Sequence, residues 1–363
     1  MVAAAVLGVS AIWTSAFGTV AMAAASCGGD LSITAGGSYQ GCWTKVSIDT
    51  SQPVTITNST IGGAGVTGDL LNGNATSLTV TNTRFVGTPR SGGYAVWLDS
   101  FSTFRFEHNS IEQKGGVKLN NYSGGGSPAA VIRYNQAHNI DGRLPGGGTD
   151  LIQFVQFDAV NNAPGVDISW NRIDNDPGNS SVEDNINMHS SSGTAASPIL
   201  IHDNLVHGAY GLPATDSNYS GGGILLGDYA GAYETARDNV VVSSANYGIA
   251  VAAGQHMTLT NNQVISAGQL PGGAPMAANV GAVVWNQYSA PFGDINMYGN
   301  TVGYSKADGS RNDWWLPDCD GQCSNTALKP GQPITTADEQ TAITGWESRA
   351  AAGGIHLGPT IGK

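Results

Sequence analysis

Positive charge is scarce in this chain. Of 363 residues only 15 are Lys or Arg, against 27 Asp or Glu, and no Lys or Arg precedes Lys45. The formal charge of −12 argues against nucleic acid as a partner, because such a surface must neutralise several phosphates. A strongly polyanionic ligand would likewise need a local basic patch. Charged residues of either sign make up only 12% of the chain, yet 40% is hydrophobic, which is enough for a packed core rather than a disordered coil. Cysteine is sparse too, and all four lie near the ends: Cys27 with Cys42, and Cys319 with Cys323. Two close pairs outside the central region point to two local disulfides and an oxidising compartment. A Cys-x3-Cys zinc half-site is the alternative for the second pair, but no further His or Cys cluster lies beside it.

Helix-period apolar stripes are also missing between residues 54 and 303. What recurs instead is a phrase in which an apolar residue, two variable positions, a small polar residue and one more position lead to another apolar residue. It reads Ile168-Ser169-Trp170-Asn171-Arg172-Ile173, then Ile201 to Val206 around Asn204, then Leu259 to Val264 around Asn262. The same frame fits Asn109, Asn135, Asn239 and Asn300, and earlier Ser59 and Thr83 in the asparagine slot. The nine sites are spaced 24, 26, 26, 36, 33, 35, 23 and 38 residues apart. Self-similarity at this period marks a stacked repeat, and the short alternating runs closed by Gly, Asn, Asp and Ser make each unit of strands and turns. The expected fold is all-β, a right-handed parallel β-helix of about nine coils. At a corner of such a coil an inward amide meets its equivalent about 4.8 Å away, and its donor and acceptor satisfy one another along the axis.

The chain therefore divides into three expected segments. Residues 1–26 are small and apolar and end in Ala-rich sequence before Ser26, as in an export signal, although a basic start is missing. The β-helix spans 27–335, with a first coil tied by Cys27 and Cys42. Uneven coil lengths imply loops at 124–128, 144–148, 209–223 and 268–275. The repeat is expected to stop after Ser305, and Thr336 to Glu339 reads as a capping box opening a short helix within 336–363. Exported or periplasmic location, no membrane insertion once the signal is removed, and a monomer follow from this layout.

Each coil carries another strand after the asparagine turn. Inward apolar pairs are read as Val96/Leu98, Val117/Leu119, Ile152/Phe154, Ile186/Met188, Ile224/Leu226, Ile249/Val251 and Ala282/Val284. Strand residues alternate faces, so Trp97, Asp99, Lys118, Asn120, Gln153, Asn185, Asn187, His189 and Trp285 should share one outward wall. Asp150 and Asp184 are expected in one column a coil apart, with Glu183 and Asp228 at the strand's margins. Four polar side chains crowd Glu183-Asp184-Asn185-x-Asn187-x-His189, and neighbouring charges raise a carboxyl pKa into the range of a general acid. Asp184 with Asp150 or Asp228 could serve as acid and base; Lys118 or His189 could instead be the base of an elimination. Trp97 and Trp285 are candidate stacking platforms, and Asp99, Asn120, Gln153, Asn185 and Asn187 candidate sugar ligands. No spaced ligand set marks a metal site, Asp174, Asp176 and Asp216 included, and no cofactor is expected.

The ladder phrase and coil periodicity resemble the pectin-lyase-like superfamily of right-handed parallel β-helices over most of residues 54–303. That resemblance implies a polysaccharide-binding groove on the outward face of this sheet. The chain departs from its best-marked members: the Asn-Thr-Asp, Asp-Asp and Gly-His-Gly set of polygalacturonases is missing, as is the Arg-x-x-Pro of pectate lyases. The nearest thing to a signature is Val182 to His189, similar to a run in secreted β-helix proteins. The expectation is a secreted protein that binds and cleaves an extracellular polysaccharide, by hydrolysis rather than elimination. The rival expectation is a surface adhesin or carbohydrate-binding structural protein.

Overall fold

Strands and tight turns dominate, as the glycine and asparagine content requires. A computed structural model describes residues 27–74, 76–216 and 221–361, so the expected export signal lies outside the described residues. The architecture is a parallel β-helix. Three strands per coil stack into parallel sheets: a first containing Tyr94–Leu98, Gly115–Asn120, Val155–Asp158 and Asp184–Ser192, a second containing Phe101–Glu107 and Ala130–Arg133, and a third of 11 strands. The first two merge through the 16-residue strand Gly222–Arg237. Among the described residues the third sheet counts eleven coils, two more than the nine ladder sites suggested.

The amide ladder forms the corner between the second and third sheets. Asn171 Nδ2 donates to Asn204 Oδ1 at 2.9 Å, and Asn204 to Asn239, Asn239 to Asn262 and Asn262 to Asn300 do likewise at 2.9 Å. Each Oδ1 also accepts the main-chain N–H of the preceding rung, and all of these side chains are fully buried. The residue before each rung turns the corner with positive φ, as Trp170, Asp203, Asp238 and Asn261 show. At Gly299 this left-handed position is filled by the residue that adopts it most readily.

Behind the corner the interior is a stack of like on like. Val96, Val117, Val155, Ile186, Ile224 and Ile249 follow one another in register, each fully buried and each contributing roughly 1.5–3 kcal/mol by leaving water. This column corrects one expected pair: Val155 and Phe157, not Ile152 and Phe154, occupy the inward positions of their coil. The repeat also continues past Ser305. Trp314–Trp315 pairs with Ala282 and Val283, Thr326–Ala327 with Thr301 and Val302, and Asn325 adds a rung below Asn300.

Both expected disulfides are present, Cys27–Cys42 and Cys319–Cys323. The helix Thr336–Ala352 begins one residue earlier than its sequence motif suggested: Thr335 is the N-cap, and its N–H donates to Asp338 Oδ2 at 2.9 Å. It buries Ala342, Ile343, Trp346 and Ala350 against Leu205, Val240, Val242 and Ile265 on the third sheet. The tail then runs back along the ladder corner, where Gly358 N–H donates to Tyr134 O and Thr360 N–H to Asn82 Oδ1. Among the described residues no helix is long and apolar enough to cross a membrane.

Candidate functional site

Helix and tail occupy the third sheet, and the outward face of the first sheet carries polar groups over its N-terminal and middle coils. Two outward columns run along it. Lys118, Gln156 and Asn187 are neighbours in one; Asn120, Asp158, His189 and Asp228 are neighbours in the other. The pairing breaks register between Asn187 and His189, and the strand that follows bends at Gly227 and Tyr229, both with positive φ. Such bulges re-aim side chains, and here they bring Asp228 back beside Asn187.

The result is a cluster of carboxyls around one amide. Asn187 Nδ2 donates to Asp184 Oδ2 and to Asp228 Oδ2, each at 3.0 Å. Two oxygens that share one nitrogen in this way lie closer than the roughly 6.5–9.5 Å that admits a water between the carboxyls of an inverting glycosidase. Asp184 also accepts from Tyr247 Oη at 2.6 Å, and Asp228 from Tyr288 Oη at 2.8 Å. Asp184 is 2% exposed; burial, opposed by the Tyr247 and Asn187 hydrogen bonds, leaves its carboxyl raised to about 6. Burial and the charge of Asp184 push the Tyr247 phenol well above its usual value.

Glu183 stands beside this pair, half-buried. Its Oε2 accepts from Gln153 Nε2 at 2.5 Å, and Gln153 Oε1 accepts from Tyr94 Oη at 2.5 Å. Burial, followed by the charges of Asp184 and Asp228, pushes Glu183 up to about 8. The Asn187 Oδ1 is buried and without a partner, an open acceptor at the centre of the cluster.

The expected site residues separate into those brought together and those not. Glu183, Asp184, Asn187, His189 and Asp228 converge. Lys118 and His189 both engage Asp158, at 3.7 Å and 2.9 Å, while Lys118 also lies 5.0 Å from the centre of the Trp97 ring and His189 stacks on Tyr229. Asn120 lies two coils away on the same face and Trp97 and Asp99 three, with Trp97 and Asp99 lining a depression of about 340 Å³. Trp285 packs on Tyr247 with ring centres 6.5 Å apart.

Four expectations fail, the first being Asp184 as an acid or base facing the sugar, since it is only 2% exposed. Asp150 is exposed on a loop, because Glu183 N–H bonds Ile152 O and Ile186 pairs with Val155, which sets Ile152 and Gln153 opposite the acidic pair instead. Asn185 turns away from the open face, is fully buried, and ties Gly208 O and Gly222 O at 3.1 and 3.2 Å. Gln153 is 1% exposed and orients Glu183 rather than meeting solvent. Asp158, Tyr94, Tyr229, Tyr247 and Tyr288 belong to the site and were not foreseen; Asp158 alone had a signal, as the next residue of its column after Asn120.

Among the described residues no group of three or more His, Cys, Asp or Glu is arranged to hold a metal ion. Comparisons with protein-family models, with curated proteins and with solved structures give no match. The chain is therefore placed by its architecture, a parallel β-helix, and the chemistry rests on the site itself.

Proposed function

We propose that this chain is an exported, pectin-lyase-like glycoside hydrolase acting on a neutral or weakly acidic extracellular polysaccharide. The observation that carries the reading is the convergence of Glu183, Asp184 and Asp228 on one outward sheet face, where the nearby Lys118 and His189 are both engaged by Asp158. In this reading Glu183, still protonated near neutral pH, donates to the glycosidic oxygen. Asp228, held in place by Asn187 and Tyr288, is the base that takes the proton of the attacking water. Asp184 is too buried to touch a sugar; its charge helps keep the Glu183 proton in place. Lys118 and His189 are occupied by Asp158, which disfavours them as the free base of an elimination. An adhesin would leave the carboxyls scattered or paired with cations, and neither holds for Glu183 or Asp228. Export accords with the two disulfides.

The test is a panel of xylan, mannan, arabinan, β-glucan and de-esterified pectin, read by reducing-end release and by ultraviolet absorbance of an unsaturated product. New reducing ends without absorbance are expected on at least one neutral glycan. Absorbance on pectin would replace hydrolysis by elimination, and silence in both channels would favour binding alone.

A further inference from the structure

The outward central column of the first sheet changes character at the acid cluster. On its N-terminal side Ser32, Ser47, Asn72, Trp97 and Lys118 follow in register; the first three are exposed and the last two half-exposed. Six coil steps separate Ser32 from Asn187, about 29 Å at 4.8 Å each. On the C-terminal side the same column continues as Leu225, Ala250 and Val283, which are 5%, 0% and 4% exposed. Outward residues of a sheet are buried only when something lies on them. Here the cover includes Tyr247 and Trp285, which share one apolar cluster with these three.

The cover ends on the acids themselves. Tyr288 reaches back to Asp228, and Tyr229 stacks on His189 and meets Tyr288 at a tilt, with ring centres 5.9 and 5.5 Å away. The exposed strip therefore ends at Lys118; Gln156 and Asn187, 8% and 1% exposed, carry the column on to the acids, and a wall of aromatic rings closes the far side. From this the geometry points to an end-acting hydrolase: a neutral glycan lies along the Ser32–Lys118 strip with its terminus stopped against Tyr229, Tyr288 and Trp285, and one or two terminal sugars are released per cut. This rests on the hydrolase reading and adds the mode of attack. Neutral sugars suit the strip because its one central cation, Lys118, is already shared by Asp158 and Trp97, while Asp69 and Asp99 border the depression beside it. In each turnover the bond from anomeric carbon to glycosidic oxygen breaks and Glu183 gives that oxygen its proton. A water oxygen bonds to the carbon, and the water's proton goes to Asp228.

The experiment follows product sizes from a neutral polymer and its hexasaccharide, with and without a reduced end, for the full chain and for Trp285→Ala. The wild-type chain is expected to give one short product from the first minutes while polymer viscosity falls by less than about a tenth. Trp285→Ala, shown folded by circular dichroism, should add products several sugars longer. A ladder of intermediate lengths from the wild-type chain, with reducing ends rising, would overturn the end-acting mode and leave hydrolysis standing. Unchanged product sizes in folded Trp285→Ala would overturn the wall. No reducing ends from any neutral glycan would remove hydrolysis and this inference together.

Discussion

Asn204 and Asn187 are both buried amides in the same stack of coils, and they live in opposite circumstances. Asn204 has an identical residue one coil above and one below, so its donor and its acceptor are both matched. Asn187 has Gln156 on one side and Leu225 on the other; its donor is shared by two carboxylates and its acceptor has no partner. Repetition along the axis satisfies polar groups at no cost in specificity, because each rung is its neighbour's solution. Where the repetition is broken, polar groups are left crowded and under-satisfied, as at functional sites generally. The ladder is where this chain gains stability, and the acid cluster is where it gives some up.

The largest effect should come from breaking the ladder mid-stack. Asn204→Leu strands the main-chain and side-chain N–H groups of Asn171 and removes a donor to Ile168 O. Each stranded buried group costs about 1–3 kcal/mol, so a loss of about 3 kcal/mol or more in unfolding free energy is expected, read from urea midpoints. The open face lies on another sheet, and whatever activity the folded fraction has should persist. An unchanged midpoint would remove the ladder's claim to stability.

The same comparison predicts the opposite sign at the cluster. Glu183→Gln relieves a like-charge contact while removing the proton donor. Activity should fall by about 10²–10⁴-fold, the usual contribution of a general acid, with the melting temperature at pH 8 raised relative to the wild-type chain. The pH dependence sharpens this. Between 4.5 and about 8 the unfolded chain releases a Glu183 proton that the folded chain keeps, so wild-type stability falls as pH rises through that window. His138, lifted to about 9 chiefly by its hydrogen bond to Glu112, and His202, lifted to about 9 by Asp167 and Asp203 against the effect of burial, add a second loss between 6.5 and about 9. Glu183→Gln should shrink the first decline to the part left by Asp184, Glu234 and Glu339, whose carboxyls burial also raises, and keep the second. A variant that loses stability at pH 8 would mean that Glu183 is held there as a useful anion.

How much of this was legible beforehand follows from the same contrast. Seven asparagines in one frame announced the ladder, because every rung obeys the same rule. The acid cluster obeys none. The coil before it contains the near-duplicate Ile152-Gln153-Phe154 and Val155-Gln156-Phe157, two alternating triplets that offer equally good inward pairs three residues apart. Choosing the first hid Asp158 and set Gln153 on the open face. Only the partner strands decide between them, and that information is not local. Asp150 was placed beside Asp184 for the same reason. Tyr247 and Tyr288 lie 63 residues from Asp184 and 60 from Asp228 in sequence, and no periodicity connects a phenol to a carboxyl one or two coils away. The tenth rung was missed because the Cys319–Cys323 loop interrupts the apolar residues that frame the others.

That tenth rung supplies the smallest and most discriminating perturbation. Asn325 Oδ1 accepts from Asn300 Nδ2 at 2.9 Å, and its own amide donates to Met297 O at 3.1 Å, but no asparagine follows it. It is also half-buried, so water can take over the bonds that a truncation would vacate. If a rung's worth comes from being matched on both sides and shut away from water, Asn325→Ala should cost no more than about 1 kcal/mol, well below Asn204→Leu. Equal losses at the two positions would show that the amide's bonds within its own coil, rather than the stacking of rung on rung, set its value. The contrast between ladder and cluster would then be one of local geometry alone.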